Sequence, residues 1–398
     1  MVLREMTCQA PHFFGWKVVW AAFFVAVFSF GVGFYGPSVF LRTLHATRGW
    51  AISSISAAIT LHFLLSGVLV TYLPEAHRRF GIARVTQAGI ALAAIGIVAW
   101  ANARQPWQLF PAALLSGMGW AATSGAAINA MVAPWFDSDR PKALSLAFNG
   151  SSVGGLVFTP LWVALIAEFG FVAAAVLIGT AMAVILLPLT ERFLQSQPNG
   201  SAAVLAQSTS TLGRGALLRD YRFITISAAF ALGLFAQVGL FAHLLTRLAP
   251  EFGSGGAAWA ISLATVCAVA GRTILGWLIG EGNRRHAAAL NFVMQACGTA
   301  LLTVASGVPL LLCGCVLFGL GLGNLVSLPP LIIQREFPAS DVGRTVALTV
   351  AINQAVFAFA PSILGVVRDI EGSYTVPFAV VAGMQLAASL IVIAYRAK

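Results

Sequence analysis

Apolar runs of about 20 residues recur from one end of the chain to the other, and this constrains the fold more than any other feature. Coiled at 1.5 Å per residue, such a run crosses a hydrocarbon layer of ~30 Å. Six are expected at 16–41, 51–73, 85–103, 108–132, 143–167 and 171–189. Six more follow at 221–248, 257–280, 286–306, 309–333, 345–367 and 375–395. Charged residues make up 9% of the chain, against about 25% in a soluble globular protein. The expected fold class is therefore an all-α membrane protein with twelve transmembrane helices. Thirty-nine glycines suit it, because small residues let membrane helices approach closely. The N-terminal stretch has no short apolar segment with a cleavage site, so the first span is expected to stay.

Residues 190–220 interrupt the pattern. They are rich in Ser, Gly, Gln and Thr, lack an apolar period and read as a linker. At ~30 residues the segment is too short to fold alone. The expected organisation is a six-helix half at 1–189, a linker at 190–220 and a second half at 221–398. Seventeen Lys and Arg fall in loops on the side of the termini and five on the other. That asymmetry places both termini and the linker in the cytoplasm of a plasma (inner) membrane.

The net charge of +10 sits in these loops, so nucleic acid is not expected as a partner. Cys8, Cys267, Cys297, Cys313 and Cys315 show no metal-ligand spacing and read as packing residues. The glycine pairs, such as Gly117 with Gly119, lie within spans with no following Lys-Ser/Thr, so they form no phosphate loop. No Ser-His-Asp set is evident. Neither an enzyme, a cofactor nor a metal is expected.

The halves repeat. Arg140 to Asn149 and Arg344 to Asn353 share the frame R-x-x-A-L-[S/T]-x-A-x-N, 204 positions apart. Gly117-Met118-Gly119 matches Gly319-Leu320-Gly321, and Glu75 to Arg79 matches Glu281 to Arg285. Two six-span halves related by an axis along the membrane normal are a transporter architecture.

With these motifs the chain resembles the major facilitator superfamily. The loop Arg79-Phe80-Gly81-Ile82-Ala83-Arg84 is similar to its D-R-x-G-x-x loop, with Arg78 where Asp is usual and Glu75 placed to compensate. Gly271-Arg272 with Gly276 and Leu278 fits its counterpart after span 8. Within the superfamily the chain looks most like the monocarboxylate transporter and oxalate/formate exchanger branch. Gly15-Trp16-Lys17-Val18-Val19, Phe34 to Phe40, and Trp135-Phe136 followed by Arg140, Ala143, Gly150 and Gly154 carry that resemblance. It departs at the span-1 lysine, at Ala268 where an Asp precedes the span-8 arginine, and at span 11, which offers Asn353 and Gln354 for a lysine.

Arg272 is the one Lys or Arg that this reading leaves inside a span. A charge near mid-bilayer costs between ~3 and ~10 kcal/mol. All thirteen acids fall in loops or at span ends, so no membrane carboxylate is available to pair with it. Two readings stand: a fixed charge for an anionic substrate, to which a guanidinium offers a planar fork, or a structural arginine capping helix carbonyls. The missing acids also disfavour an organic cation. The resemblance implies that spans 1, 4, 7 and 10 line a central cavity. Tyr35, Trp120, Gln237 and Asn324 lie there, with Asn149, Asn353 and Gln354 on spans 5 and 11. Asn149 and Asn353 are repeat-equivalent, whereas Gln354 is matched by Gly150. His62 at the middle of span 2 and His243 near the far end of span 7 are the candidate proton sites, since imidazole titrates near neutral pH. Either is also readable as a packed histidine bonded to a neighbouring helix.

The expected protein is a secondary transporter of a small organic anion, monocarboxylate-like, proton-coupled or exchanging anions, and acting as a monomer in the bilayer. The alternative is an exporter of neutral or amphiphilic molecules with Arg272 structural.

Overall fold

The computed structural model describes residues 14–136, 139–195, 212–280 and 282–395. Cys8, Glu281 and positions 196–211 of the expected linker lie outside the described residues. Among the described residues ten helices are long and apolar enough to cross a membrane. One of them, Arg140–Leu194, has 55 residues and leaves helical geometry at Gly170, where φ is 81°, so it holds two crossings. A further crossing comes in two pieces, Leu109–Thr123 and Gly125–Val132, each too short alone. The architecture is consistent with twelve.

Several helices outrun the apolar runs that announce them. The first passes from α1 (Gly15–Ser29) through a π turn at Phe30–Phe34 into α2 (Gly36–Arg48), beyond position 41. The sixth crossing extends to Leu194 and the eleventh begins at Ala339. Hydropathy marks where lipid is, but a helix runs until its backbone is capped. Gly49 does this for α2, with a left-handed φ of 65° and its N–H bonded to the His45 carbonyl.

The repeat is written into the backbone as well. Left-handed glycines recur as Gly49 with Gly253 and as Gly170 with Gly372, 204 and 202 positions apart. The fourth crossing breaks at Ser124 and the tenth at Gly323, between Val308–Leu322 and Asn324–Glu336. At the end away from the termini, Arg48 Nη2 donates to the Ala101 carbonyl at 2.8 Å and Arg247 Nη2 to the Ala305 carbonyl at 3.0 Å. Each arginine caps the final turn of a crossing, where orphan carbonyls and the helix dipole favour a cation. Gly150 and Gly154 let the fifth crossing lie on α1. A Cβ on Gly150 would stand 2.9 Å from Ala26 Cβ, and one on Gly154 would stand 3.1 Å from the Val27 carbonyl carbon.

At the terminus-bearing end Glu75 is an acid near the loop after the second crossing. It pairs with Arg214 at 3.4 Å and Arg344 at 3.3 Å. Arg344 also donates to the Leu212 carbonyl at 2.8 Å, and the Leu212 N–H donates to Asp341 at 3.2 Å. These partly exposed pairs are individually weak, but together they tie the start of the second set of helices to the loop after the second crossing.

His77 lies in that loop helix, Leu73–Phe80. Burial pushes its imidazole from 6.5 down to about 4. A folded pKa below the unfolded one means the unfolded chain takes up the proton first, so stability is lost as pH falls through that window. The melting temperature should decline between pH 6.5 and about 4, and His77→Gln should flatten that decline. An unchanged pH profile in the variant would exclude His77 as its source.

Candidate functional site

Arg272 lies in the eighth crossing, the second part of the helix Tyr221–Leu278, and is 2% exposed. Its Nε donates to the Gly323 carbonyl at 2.7 Å. Its Nη1 donates to the Phe148 carbonyl, and reaches Asn149 Oδ1 at 3.2 Å and Ser152 Oγ at 3.4 Å. Gly323 stands where the tenth crossing passes from Val308–Leu322 into Asn324–Glu336, and without a Cβ there the guanidinium approaches closely. A Cβ on Gly323 would sit 2.9 Å from Nη2. Phe148, Asn149 and Ser152 belong to the fifth crossing. One buried cation therefore joins the first set of helices to the second, using neutral acceptors where a carboxylate is lacking.

The two readings of Arg272 thus divide along the guanidinium. Nε and Nη1 cap carbonyls, as the structural reading expects. Nη2 donates to no described group and is not among the fully enclosed polar atoms that lack a partner. An arginine offers five N–H donors in a planar fork, and the two on Nη2 remain for something else. Tyr35 is within electrostatic reach of the guanidinium. It stands half-buried just after the π turn, its ring against Gly155, where a Cβ would lie 2.5 Å from the ring.

The repeat-equivalent asparagines are used differently. Asn149 bridges, accepting from Arg272 and donating to Thr273 Oγ1 at 2.8 Å. Asn353 is 4% exposed and its Oδ1 has no partner. Trp120 Nε1 donates to Gln354 Oε1 at 3.2 Å, again joining the two sets of helices. Around that bond Phe34, Phe63 and Phe357 meet with ring centroids 5.8 to 6.1 Å apart. Gln237 is buried with an unpartnered Oε1. The structure thus brings Arg272, Asn149 and Tyr35 together, and Trp120 with Gln354.

Other candidates sit apart. His243 is held inside the second set by the Tyr374 hydroxyl at 3.3 Å and the Pro361 carbonyl at 2.9 Å, so both ring nitrogens are occupied. His62 is 1% exposed, with Nδ1 2.9 Å from Ser116 Oγ, which also accepts from Trp100 Nε1 at 3.1 Å. Its Nε2 faces the Gly33 backbone without completing a well-formed bond. Beside it lies a cavity of about 10 Å³, lined also by Trp120, which is room for about one water. Asn324 donates to Asn291 Oδ1 at 2.8 Å. It belongs to a buried group of amides and hydroxyls that the sequence reading missed, with Gln295, and with Thr299 bonded to Gln385 at 2.8 Å. Asn291, Gln295 and Thr299 recur every four residues, a polar stripe on one helix face that was legible. Ser66, the repeat counterpart of Arg272, is fully buried with no partner for its hydroxyl.

A bundle of helices long and apolar enough to cross a membrane, with an internal repeat and a buried polar seam between its two parts, defines a polytopic membrane transporter. The Major Facilitator Superfamily model matches residues 19–361, and the chain belongs to that family. Its relatives include monocarboxylate transporter 13 of Rattus norvegicus, 26% identical over 396 residues, covering 95% of this chain and 88% of that protein. Monocarboxylate transporter 11 of Homo sapiens is 26% identical over 408 residues, covering 95% and 82%. The crystal structure of the human organic anion transporter MFSD10 (TETRAN) superposes with a TM-score of 0.73 at 15% identity, covering 96% of this chain and all of that one. That likeness shows the fold alone. The protein is a transporter of a small molecule, not an enzyme.

Proposed function

We propose that this protein is a secondary active transporter of a small organic anion, monocarboxylate-like, working by alternating access of two six-helix halves. The observation that carries the reading is the divided guanidinium of Arg272, buried and tethered through Nε and Nη1 with Nη2 left to donate. A carboxylate accepts two parallel N–H bonds, and the hydroxyl of Tyr35, within electrostatic reach of Arg272, offers a further donor. Gln354, Asn353 and Trp120 supply neutral polar groups at the same seam. The names of the relatives point the same way, to monocarboxylates and to organic anions.

The state described is closed at the terminus-bearing end. Asn149 to Thr273, Arg272 to Phe148, Asn129 to Gln334 at 3.0 Å and Glu75 to Arg344 all lie on that side of the Trp120–Gln354 bond. The loop charges favour a cytoplasmic position for this end, and on that reading the state is closed to the cytoplasm. Since Arg272 bridges the halves here, opening inward must release it from Phe148 and Asn149. A bound anion compensates the guanidinium as those acceptors leave. His62 and its one-water cavity keep proton coupling open, and the lack of a carboxylate beside Arg272 favours exchange of one anion for another.

Uptake of labelled small carboxylates into proteoliposomes tests this reading. Saturable uptake, stimulated by an inward proton gradient or by carboxylate loaded inside, is the expected result. Uptake of neutral compounds with none of any carboxylate would instead make Arg272 purely structural, as an exporter of neutral or amphiphilic molecules requires.

A further inference from the structure

The carbonyl that accepts from Arg272 Nε belongs to Gly323, and a pair of buried amides holds the residues on either side of it. The ninth crossing, Arg284–Val304, reaches both with one side chain. Asn291 Nδ2 donates to the Gly321 carbonyl at 3.2 Å, and Asn291 Oδ1 accepts from Asn324 Nδ2 at 2.8 Å. Asn324 Nδ2 donates as well to the Leu320 carbonyl at 3.1 Å. Asn291 is 4% exposed and Asn324 3%. The turn that presents a carbonyl to the eighth crossing is therefore also fastened to the ninth.

The first set of helices makes the same meeting without amides. At the offset that pairs Gly119 with Gly321, Asn291 falls on Gly89, Gln295 on Ala93 and Asn324 on Ala122. The contacts correspond. A Cβ on Gly89 would stand 2.6 Å from Ala122 Cβ and 3.3 Å from the Gly119 carbonyl oxygen. Glycine and alanine thus suffice to pack this junction. An amide carried into an apolar core costs free energy unless its groups are satisfied. Here Asn324 Oδ1 and both polar atoms of the Gln295 amide have no partner, so packing alone does not account for the exchange of small residues for amides. The second half also differs from the first in carrying Arg272, which is matched by Ser66.

We propose that Asn291 and Asn324 are positioning residues for Arg272. They fix the turn at Gly323 so that its carbonyl keeps Nε, the guanidinium stays turned with Nη1 on Phe148 and Asn149, and the Nη2 edge is left for the anion. A binding group needs supporting residues that hold it within about 0.5 Å of its productive geometry. The proposal rests on the reading of Arg272 as the anion site and names what keeps that site in register.

The test reads the tether between the two sets of helices, which loosens when the guanidinium is misplaced. Gln334 bonds Asn129 across the closed end at 3.0 Å. In purified full-length protein carrying Gln334→Cys, the rate of maleimide labelling at that position is measured over the same protein without it. Asn291→Leu and Asn324→Ala should each raise the rate about three-fold or more, the order of one neutral hydrogen bond. With Arg272→Ala added, neither should raise it further, because the tether is already gone. Thr299→Val removes another bond of the same buried group, to Gln385 on the twelfth crossing at 2.8 Å, and should leave labelling unchanged. The melting temperature reports whether each variant is folded, and either asparagine variant suffices. Unchanged labelling in folded Asn291→Leu and Asn324→Ala would overturn the proposal. So would an equal rise with and without Arg272, or the same rise in Thr299→Val, since either would make the amides packing groups of the second set. The labelling needs no substrate, so a lack of carboxylate uptake by the unaltered protein would count against the anion and not against the positioning of Arg272.

Discussion

Arg272→Ala is expected to abolish carboxylate uptake, by about 10²-fold or more, while the protein still folds. Two hydrogen bonds from a charged donor to a carboxylate contribute about 1.5–3 kcal/mol each, and ~1.4 kcal/mol is a factor of ten in affinity. Stability should change far less than transport. The variant loses its bonds to Gly323, Phe148 and Asn149, but it also removes the desolvation cost of an intramembrane cation. Arg272→Lys separates the roles further. An ammonium keeps the charge but cannot reach Gly323 on one side and Phe148 on the other while offering an edge to substrate. It should raise KM more than it lowers the melting temperature. Full transport by Arg272→Ala would sink the anion reading and leave Arg272 as a helix tether.

How far this site was legible follows from what each residue depends on. The crossings were readable because a crossing is a property of one continuous apolar run. So was the repeat, which the structure extends to Gly49 with Gly253 and Gly170 with Gly372. Arg272 was locatable for the same reason, as a charge in an apolar run. Its partners were not. They are the Gly323 carbonyl on the tenth crossing and the Phe148 carbonyl on the fifth, and both depend on how three helices meet. In the sequence Arg48 and Arg247 are two more loop charges, and their use as caps appears once Ala101 and Ala305 are seen as helix ends. His243 shows the reverse failure. Its type suggested chemistry, but Tyr374 and Pro361, far along the chain, occupy both nitrogens.

The seam itself is open to test at Gly276. It lies four residues beyond Arg272 and faces the fifth crossing, where an added Cβ would stand 2.6 Å from Ser145 Cβ and 3.1 Å from the Pro141 carbonyl oxygen. Such a contact is not tolerated, and rigid helix backbones cannot yield locally. Because the crowded pair belongs to the two different sets of helices, the strain falls on closure at the terminus-bearing end and spares the fold of either set. Gly276→Val should leave the melting temperature within a few degrees and cut transport by about an order of magnitude or more, since tens-fold follows from a ~2 kcal/mol bias against one state of the cycle. Ser145→Gly in the same chain removes the atoms nearest the new side chain and should restore much of the activity. Labelling of an engineered cysteine at position 334, whose Gln334 side chain bonds Asn129 across the closed end, should increase in Gly276→Val and fall again in the double variant. Normal transport and unchanged labelling in Gly276→Val would mean that the approach of these two crossings does not form the closed state, and the reading of this end as the closed gate would fail with it.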